Sequence, residues 1–362
     1  MTVTAELERW INVLWTRKGT DLHLSAASPP LIRSGGILER IPETPILGSA
    51  EIEAVVFALL DEPQKLWLAE HREVDFAFSW NGKARMRANA FYQRGNLSLA
   101  LRIIPELIPD FETIGMPPAV RELARLPQGL VLFTGPTGSG KSTSMASLID
   151  WVNANRACHI LTIEDPIEYV HHHKRSIVNQ REIGSDAQSW ERSLRSALRE
   201  DPDVILVGEM RDVESIAITL TLAETGHLVF STLHTNDASQ ALDRIVDVFP
   251  GERQAQIRMQ LAGSLSAVVA QRLIPRVGGG LVSAYEVLIA NNAVRNLVRE
   301  GKTRQIRNVI ATGQQDGMMT LEASLNKLVA SGTIRHEDAT QRAIFPLEIE
   351  RPAEAPTRRF GR

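Results

Sequence analysis

The stretch Leu130-Val131-Leu132-Phe133-Thr134, followed by Gly135-Pro136-Thr137-Gly138-Ser139-Gly140-Lys141-Ser142-Thr143, decides how the chain is read. Five apolar, β-prone residues suit a strand buried on both faces. A glycine-rich turn and residues able to open a helix follow. The signature G-x-x-x-x-G-K-S/T therefore stands in strand–loop–helix context, where it is informative. Gly135, Gly138 and Gly140 permit backbone conformations that turn amide N–H groups onto phosphate oxygens, with Pro136, Thr137 and Ser139 between them. The positive end of the next helix adds to the attraction. Lys141 is spaced to reach the β- and γ-phosphates, Ser142 offers a hydroxyl to Mg²⁺, and Thr143 completes the motif. A glycine turn that binds nothing is the bland alternative, and the flanking strand and helix argue against it.

Working outward, the 362 residues suggest two or three domains. A formal net charge of -3 argues against a general nucleic-acid binder. Cys158 is the only cysteine, which excludes an internal disulfide and any multi-cysteine zinc site and fits a reducing compartment. No uncharged apolar run approaches the length of a membrane span, and Glu6 and Glu8 stand where a signal peptide would be basic. The expectation is a soluble, cytoplasmic protein without direct membrane insertion.

Upstream of the loop, residues 4–17 read as an amphipathic helix with Leu7, Ile11, Leu14 and Trp15 inward. Short strands follow at Asp21–Ser25 and between Pro30 and Gly35. Ser49 is the expected cap of a helix whose apolar face is Ile52, Val55, Val56, Leu59 and Leu60, and Ile52 argues against a capping box. Val74–Trp80, Asn81-Gly82 and a return strand from Lys83 make a hairpin. On the return strand Lys83, Arg85, Arg87 and Asn89 share one face, and a third strand, Leu97–Ile104, carries Arg102. Prolines 105, 109, 117 and 118 read as a linker. The domain reading is thus 1–104, a linker at 105–118, an ATPase-type domain with a C-terminal helical part at 119–350, and a disordered tail at 351–362.

Downstream, Ile160–Ile163 reads as a strand ending in Glu164, Asp165 and, after Pro166 and Ile167, Glu168. In an open parallel sheet such carboxylates face the ligand crevice, beside the metal and the terminal phosphate. Asp186–Glu200 reads as an amphipathic helix with Trp190, Leu194, Ala197 and Leu198 inward. Val204–Val207 is a buried strand ending in Gly208-Glu209. Gly208 stands where a nucleotide hydrolase often has a metal-binding Asp, and Glu209 reads as the general base. Val213–Glu224 is a helix, and the strand from His227 to His234 brings Thr232 and His234 to the ligand edge. His171, His172 and His173 alternate in direction on an extended chain and do not read as a metal site. Asn292 reads as the cap of a helix with Ala293, Val294, Leu297 and Val298 on its apolar strip and Arg295 and Arg299 on another face.

The segments GPTGSGKST, ILTIEDPIEY, REDPDVILVGEMRD and AETGHLVFSTLHT, in that order, resemble the Walker A, Asp, atypical Walker B and His boxes of the type II/type IV secretion ATPase superfamily. With AVRNLVREGK at Ala293–Lys302, they look most like the twitching-motility (PilT-like) retraction ATPases of type IV pili. The resemblance runs from near Asp21 almost to Phe345. It implies an α/β protein with an N-terminal PAS-like α+β domain and a RecA-like P-loop ATPase domain, built into a homohexamer that hydrolyses Mg²⁺-ATP. It also implies a place on the cytoplasmic side of the inner membrane, against a platform protein at the pilus base. Glu164, Asp165, Glu168, Glu209, His227 and His234 fall in the matching boxes, and Arg87 and Arg102 match arginines that reach a nucleotide. The resemblance further implies that Arg295→Ala with Arg299→Ala leaves a folded, hydrolysing ring that no longer retracts pili. The competing readings are a pilus assembly or type II secretion ATPase, an accessory retraction ATPase, a nucleic-acid translocase and a non-hydrolysing nucleotide sensor. Cys158 alone speaks against the zinc module of the first, AVRNLVRE against the second, the acidic charge against the third, and Lys141 with Glu209 against the last.

Overall fold

A computed structural model describes residues 2–34, 37–104 and 107–351, in two compact units, Met1–Leu107 and Ile108–Arg362. The first contains α1 (Ala5–Thr16), β1 (Asp21–Ser25), β2 (Leu31–Ser34), β3 (Ile37–Arg40), α2 (Ser49–Leu59), α3 (Glu62–His71), β4 (Glu73–Trp80), β5 (Ala84–Gln93) and β6 (Asn96–Ile104). Its strands form one antiparallel sheet in the order β3-β2-β1-β6-β5-β4. Strand alternation sends Met86, Ala88 and Ala90 of β5 and Leu97, Leu99 and Leu101 of β6 into a core shared with α1 and α2. The same alternation turns Arg87 and Arg102 to the other face.

Three local expectations shift here. Trp10 is 3% exposed and Trp15 41%, because Trp10 continues the Leu7–Ile11–Leu14 stripe and Trp15 falls beyond its edge. Gly48, not Ser49, is the cap of α2, and the Glu51 carboxylate accepts the Gly48 N–H at 2.6 Å, the acidic half of a capping box. At the hairpin, Asn81 and Gly82 are left-handed and the Lys83 N–H donates to the Trp80 carbonyl. Ala84 rather than Lys83 faces Trp80, so Lys83 is one extra residue in the return.

The second unit contains α4 (Pro118–Glu122), β7 (Gly129–Thr134), α5 (Lys141–Asn155), β8 (His159–Glu164), β9 (Ile177–Glu182), α6 (Trp190–Ala197), β10 (Val204–Val207) and α7 (Val213–Glu224). Then come β11 (Leu228–Leu233), α8 (Ala238–Asp247), α9 (Gly251–Ser264), β12 (Leu265–Pro275), β13 (Leu281–Ile289), α10 (Asn292–Arg299), α11 (Ile306–Thr312), α12 (Leu321–Ala330) and α13 (His336–Arg342). The sheet order is β13-β12-β7-β11-β10-β8-β9, parallel throughout except for β13.

Every residue of β7 is buried, because helices cover both faces. Leu130 and Leu132 join a core with α7, α8 and α9, while Val131 and Phe133 join another with α5. Helix α6 is shorter than Asp186–Glu200: Ser189 caps it, and Leu198, expected inward, is 44% exposed past its end. Helix α10 is capped by Asn291, one residue before the expected Asn292, and Ala293 is exposed. Beyond Arg351 the expected tail lies outside the described residues.

Candidate functional site: a phosphate cradle and its carboxylates

The C-terminal ends of β7, β8, β10 and β11 meet at one cleft of about 150 Å³. Thr137, Gly138, Lys141 and Ser142 line it from the loop, Glu164, Asp165 and Glu168 from the end of β8, Gly208 and Glu209 from β10, and Thr232 and His234 from β11. This is the crevice that a parallel sheet leaves when its strands feed helices on alternating faces.

The loop is shaped for anions. Gly135, Gly138 and Gly140 have φ of 144°, 77° and 89°, a region that side chains disfavour. A Cβ at Gly138 would meet nothing within 4 Å, so there the requirement is conformational alone. The Ser139 hydroxyl is buried without a hydrogen-bond partner. The Lys141 ammonium donates to the carbonyls of Gly135 at 2.8 Å and Pro136 at 3.1 Å. Burial pulls its pKa down, while the carboxylates of Glu168 and Glu209 push it back up. Left-handed glycines, an orphaned hydroxyl and a buried ammonium fit a nucleotide's phosphates.

The carboxylates differ in their surroundings. Glu164 Oε1 accepts the Thr162 hydroxyl at 2.7 Å and the Gln180 amide at 3.2 Å, and desolvation pushes its pKa up to about 7. Asp165 lies 3.6 Å from Arg211, and Arg211 also bonds Glu209. The other oxygen of Glu209 is 3.5 Å from His234 Nε2. Glu209 is thus held between an arginine and a histidine, with one oxygen turned to each.

Gly208 sits in a tight spot: a Cβ there would lie 3.2 Å from the Trp190 ring and 3.4 Å from Glu164 Cα. Thr232 donates to the Gly208 carbonyl at 2.7 Å, tying the ends of β10 and β11 together.

The segment after the carboxylates runs back along α5 as a strap. Tyr169 meets Thr143 at 2.9 Å. His171 and Lys174 lie 4.0 and 2.7 Å from Asp150. The Asn153 side chain donates to the His172 carbonyl and accepts the Lys174 N–H, while its carbonyl accepts the N–H groups of Arg175 and Ser176. Of the three histidines, His171 is buried and lines the cleft, His172 and His173 are exposed, and His173 Nδ1 accepts the Val178 N–H; among the described residues no group of three or more His, Cys, Asp or Glu is placed to hold a metal.

Beyond the loop, three expected site residues are not among those that line the cleft. His227 precedes β11 at the end away from His234, its ring nitrogen 2.8 Å from the Leu222 carbonyl, and it does not line the cleft. Arg87 and Arg102 belong to the first unit, where they face each other across β5 and β6. Arg102 donates to Asp21 at 2.7 Å, and its side chain is 63% exposed while that of Asp21 is 10% exposed. Arg211, Tyr169 and Gln180 enter the site without having been singled out. Only Arg211 carried a usable signal, a cation two residues beyond Glu209.

Residues 72–315 match the family described as Type II/IV secretion system protein. The chain belongs to that family. The cradle, the carboxylates, Glu209, His234, Arg87 and Arg102 all fall in the part matched to the Type II/IV secretion system proteins. The chain is 48% identical over 327 residues to the type IV pilus retraction ATPase PilT of Pseudomonas aeruginosa, covering 90% of this chain and 95% of that one. It is 47% identical over 315 residues to a twitching motility protein of Neisseria gonorrhoeae, covering 87% and 84%. A crystal structure of the pilus retraction motor PilT with bound ADP superposes with a TM-score of 0.89 at 45% identity, covering 94% of this chain and 98% of the other. The fold is therefore the expected one, an α+β unit followed by the α/β unit of a secretion ATPase. Among the described residues no helix is long and apolar enough to cross a membrane.

Proposed function

We propose that this protein is a Mg²⁺-ATP-hydrolysing motor that powers type IV pilus retraction. One observation carries the reading: Lys141 and Ser142 of the phosphate cradle share a cleft with Glu164, Glu168, Glu209 and His234, on a chain that is PilT-like over most of its length. When bound, Mg²⁺-ATP supplies the phosphoanhydride to be cleaved. The loop's amides and Lys141 would hold the phosphates, and the Ser142 hydroxyl would hold the metal. Glu209 would take the proton of the attacking water, with Arg211 bonded to one of its oxygens and His234 beside the other. Asp165 and Glu168 face the same phosphate end, and Glu164, with its raised pKa, is the second candidate base.

The family reading adds a homohexamer at the cytoplasmic face of the inner membrane, working on a platform protein rather than on nucleic acid. In such a ring, Arg87 and Arg102 reach a nucleotide across an interface, and His227 belongs to the His box.

The test uses Glu209→Gln. The purified variant should bind ATP normally and turn it over about 10²–10⁴-fold more slowly. Cells carrying it should keep surface pili and fail to retract them. Pili absent from those cells would point to an assembly or secretion ATPase, and near-normal turnover would move the base to Glu164.

A further inference from the structure

We infer that Gln271 is a positioning residue for the phosphate loop, its side chain acting through Gly140 and Ser144. The inference rests on the nucleotide reading above and adds a residue outside the cleft. Strand β12 runs parallel to β7 with Ala270 opposite Thr134, so Gln271 falls beside Gly135, where the strand ends and the loop begins.

The loop rests on Gln271 at both of its ends. A Cβ at Gly135 would lie 2.4 Å from the Gln271 carbonyl oxygen, and one at Gly140 would lie 2.8 Å from the Gln271 side-chain nitrogen. No side chain fits at either glycine without moving Gln271.

The amide itself is gripped. Its oxygen accepts the Ser144 hydroxyl at 2.9 Å, in the first turn of α5, and its nitrogen donates to the Ser283 hydroxyl of β13 at 3.2 Å. Ser283 anchors the amide to β13, and Ser144 couples it to the helix that presents Lys141.

Gln271 is 2% exposed, among Ala267, Val268, Val269 and Ala270, all buried. A buried primary amide in an apolar strand is costly unless its hydrogen bonds are made, and here they run to the loop's helix and to β13. Gln271 does not line the cleft. It acts on the cradle from behind.

The experiment measures the Kd of a fluorescent ADP analogue and the steady-state constants for ATP in the full chain, for Gln271→Met, Ser144→Ala and the double variant. Gln271→Met keeps the volume and removes both hydrogen bonds. It should raise Kd and KM together, on the order of tenfold, with a smaller change in kcat. Ser144→Ala should shift both constants the same way by less, and the double variant should be no worse than Gln271→Met alone, because the two side chains act as a unit. Wild-type Kd and KM in Gln271→Met, or losses that add in the double variant, would overturn the inference. If Gln271→Met does not fold, an unchanged Kd in Ser144→Ala overturns it equally. Failure of the wild-type protein to bind the analogue would instead remove the nucleotide reading, and this inference with it.

Discussion

Glu286, on β13, is 5% exposed and accepts the Ala238 N–H at 2.9 Å, where α8 begins three residues after Thr235. Desolvation pushes its pKa from 4.5 to about 7. The hydrogen bond to Ala238 and the charge of Arg307 work against that rise, while Asp237 and Glu322 add to it, and Arg272 is the other nearby cation. The folded pKa lies above the unfolded one, so the native state keeps a proton that the unfolded chain releases. Stability from this group is therefore level below about pH 4.5 and falls as pH rises toward 7, by at most about 3 kcal/mol. Glu286→Gln keeps the acceptor and removes the titration. Its denaturation midpoint should change less across that window than that of the native sequence, and parallel curves for the two proteins would remove Glu286 as the source. None of this is readable from the sequence, where Glu286 is one acid in a run of mixed residues. Lys141, Ser142 and Glu209 were legible because local spacing sets their chemistry. Gln271 and Arg211 were not, because their partners are chosen by the fold.

At the scale of elements, Arg295 has a different part from the one its sequence suggests. Its guanidinium donates to the carbonyls of Ala262 at 2.6 Å, Gly263 at 2.7 Å and Ala290 at 3.1 Å, closing the C-terminal end of α9, where a helix leaves carbonyls unpaired. Arg299 is exposed, and among the described residues its side chain bonds within α10, to the Arg295 carbonyl and the Asn296 side chain. The two arginines should therefore separate. Arg295→Ala should cost about 1–3 kcal/mol in a urea titration, and Arg299→Ala should stay within about 0.5 kcal/mol of the native sequence. Arg299→Ala, not the double variant, is then the clean probe of coupling: ATP turnover intact, pilus retraction lost. Retraction at normal speed would leave α10 as packing. Elements were legible where caps or turns punctuate them, as with β7 and α7. Strands β12 and β13 were not, since a near-continuous apolar run buried on both faces has no period of its own. Strand β9 was hidden by Asn179, Gln180 and Arg181, polar residues on the sheet's outer edge.

If Arg87 and Arg102 stabilise phosphate charge in an assembled ring, Ala at either position should lower turnover, by roughly 10³ for a full arginine-finger role, with the unit still folded. Arg102 makes the sharper case, because Asp21 holds it by its Nε and leaves most of the guanidinium exposed. Unchanged turnover in both variants would return these arginines to a solvated sheet face. The support of the loop by β12 has a consequence of another kind, in the order of synthesis. Gln271 follows Ser144 by 127 residues. At about 5–20 residues per second, a ribosome leaves the cradle without its backing strand for roughly 6–25 s. Pairing across so long a separation is also among the slower steps of folding. A nascent or truncated chain that stops before Leu265 carries every residue of the Walker A motif and still lacks the surface that seats Gly135 and Gly140.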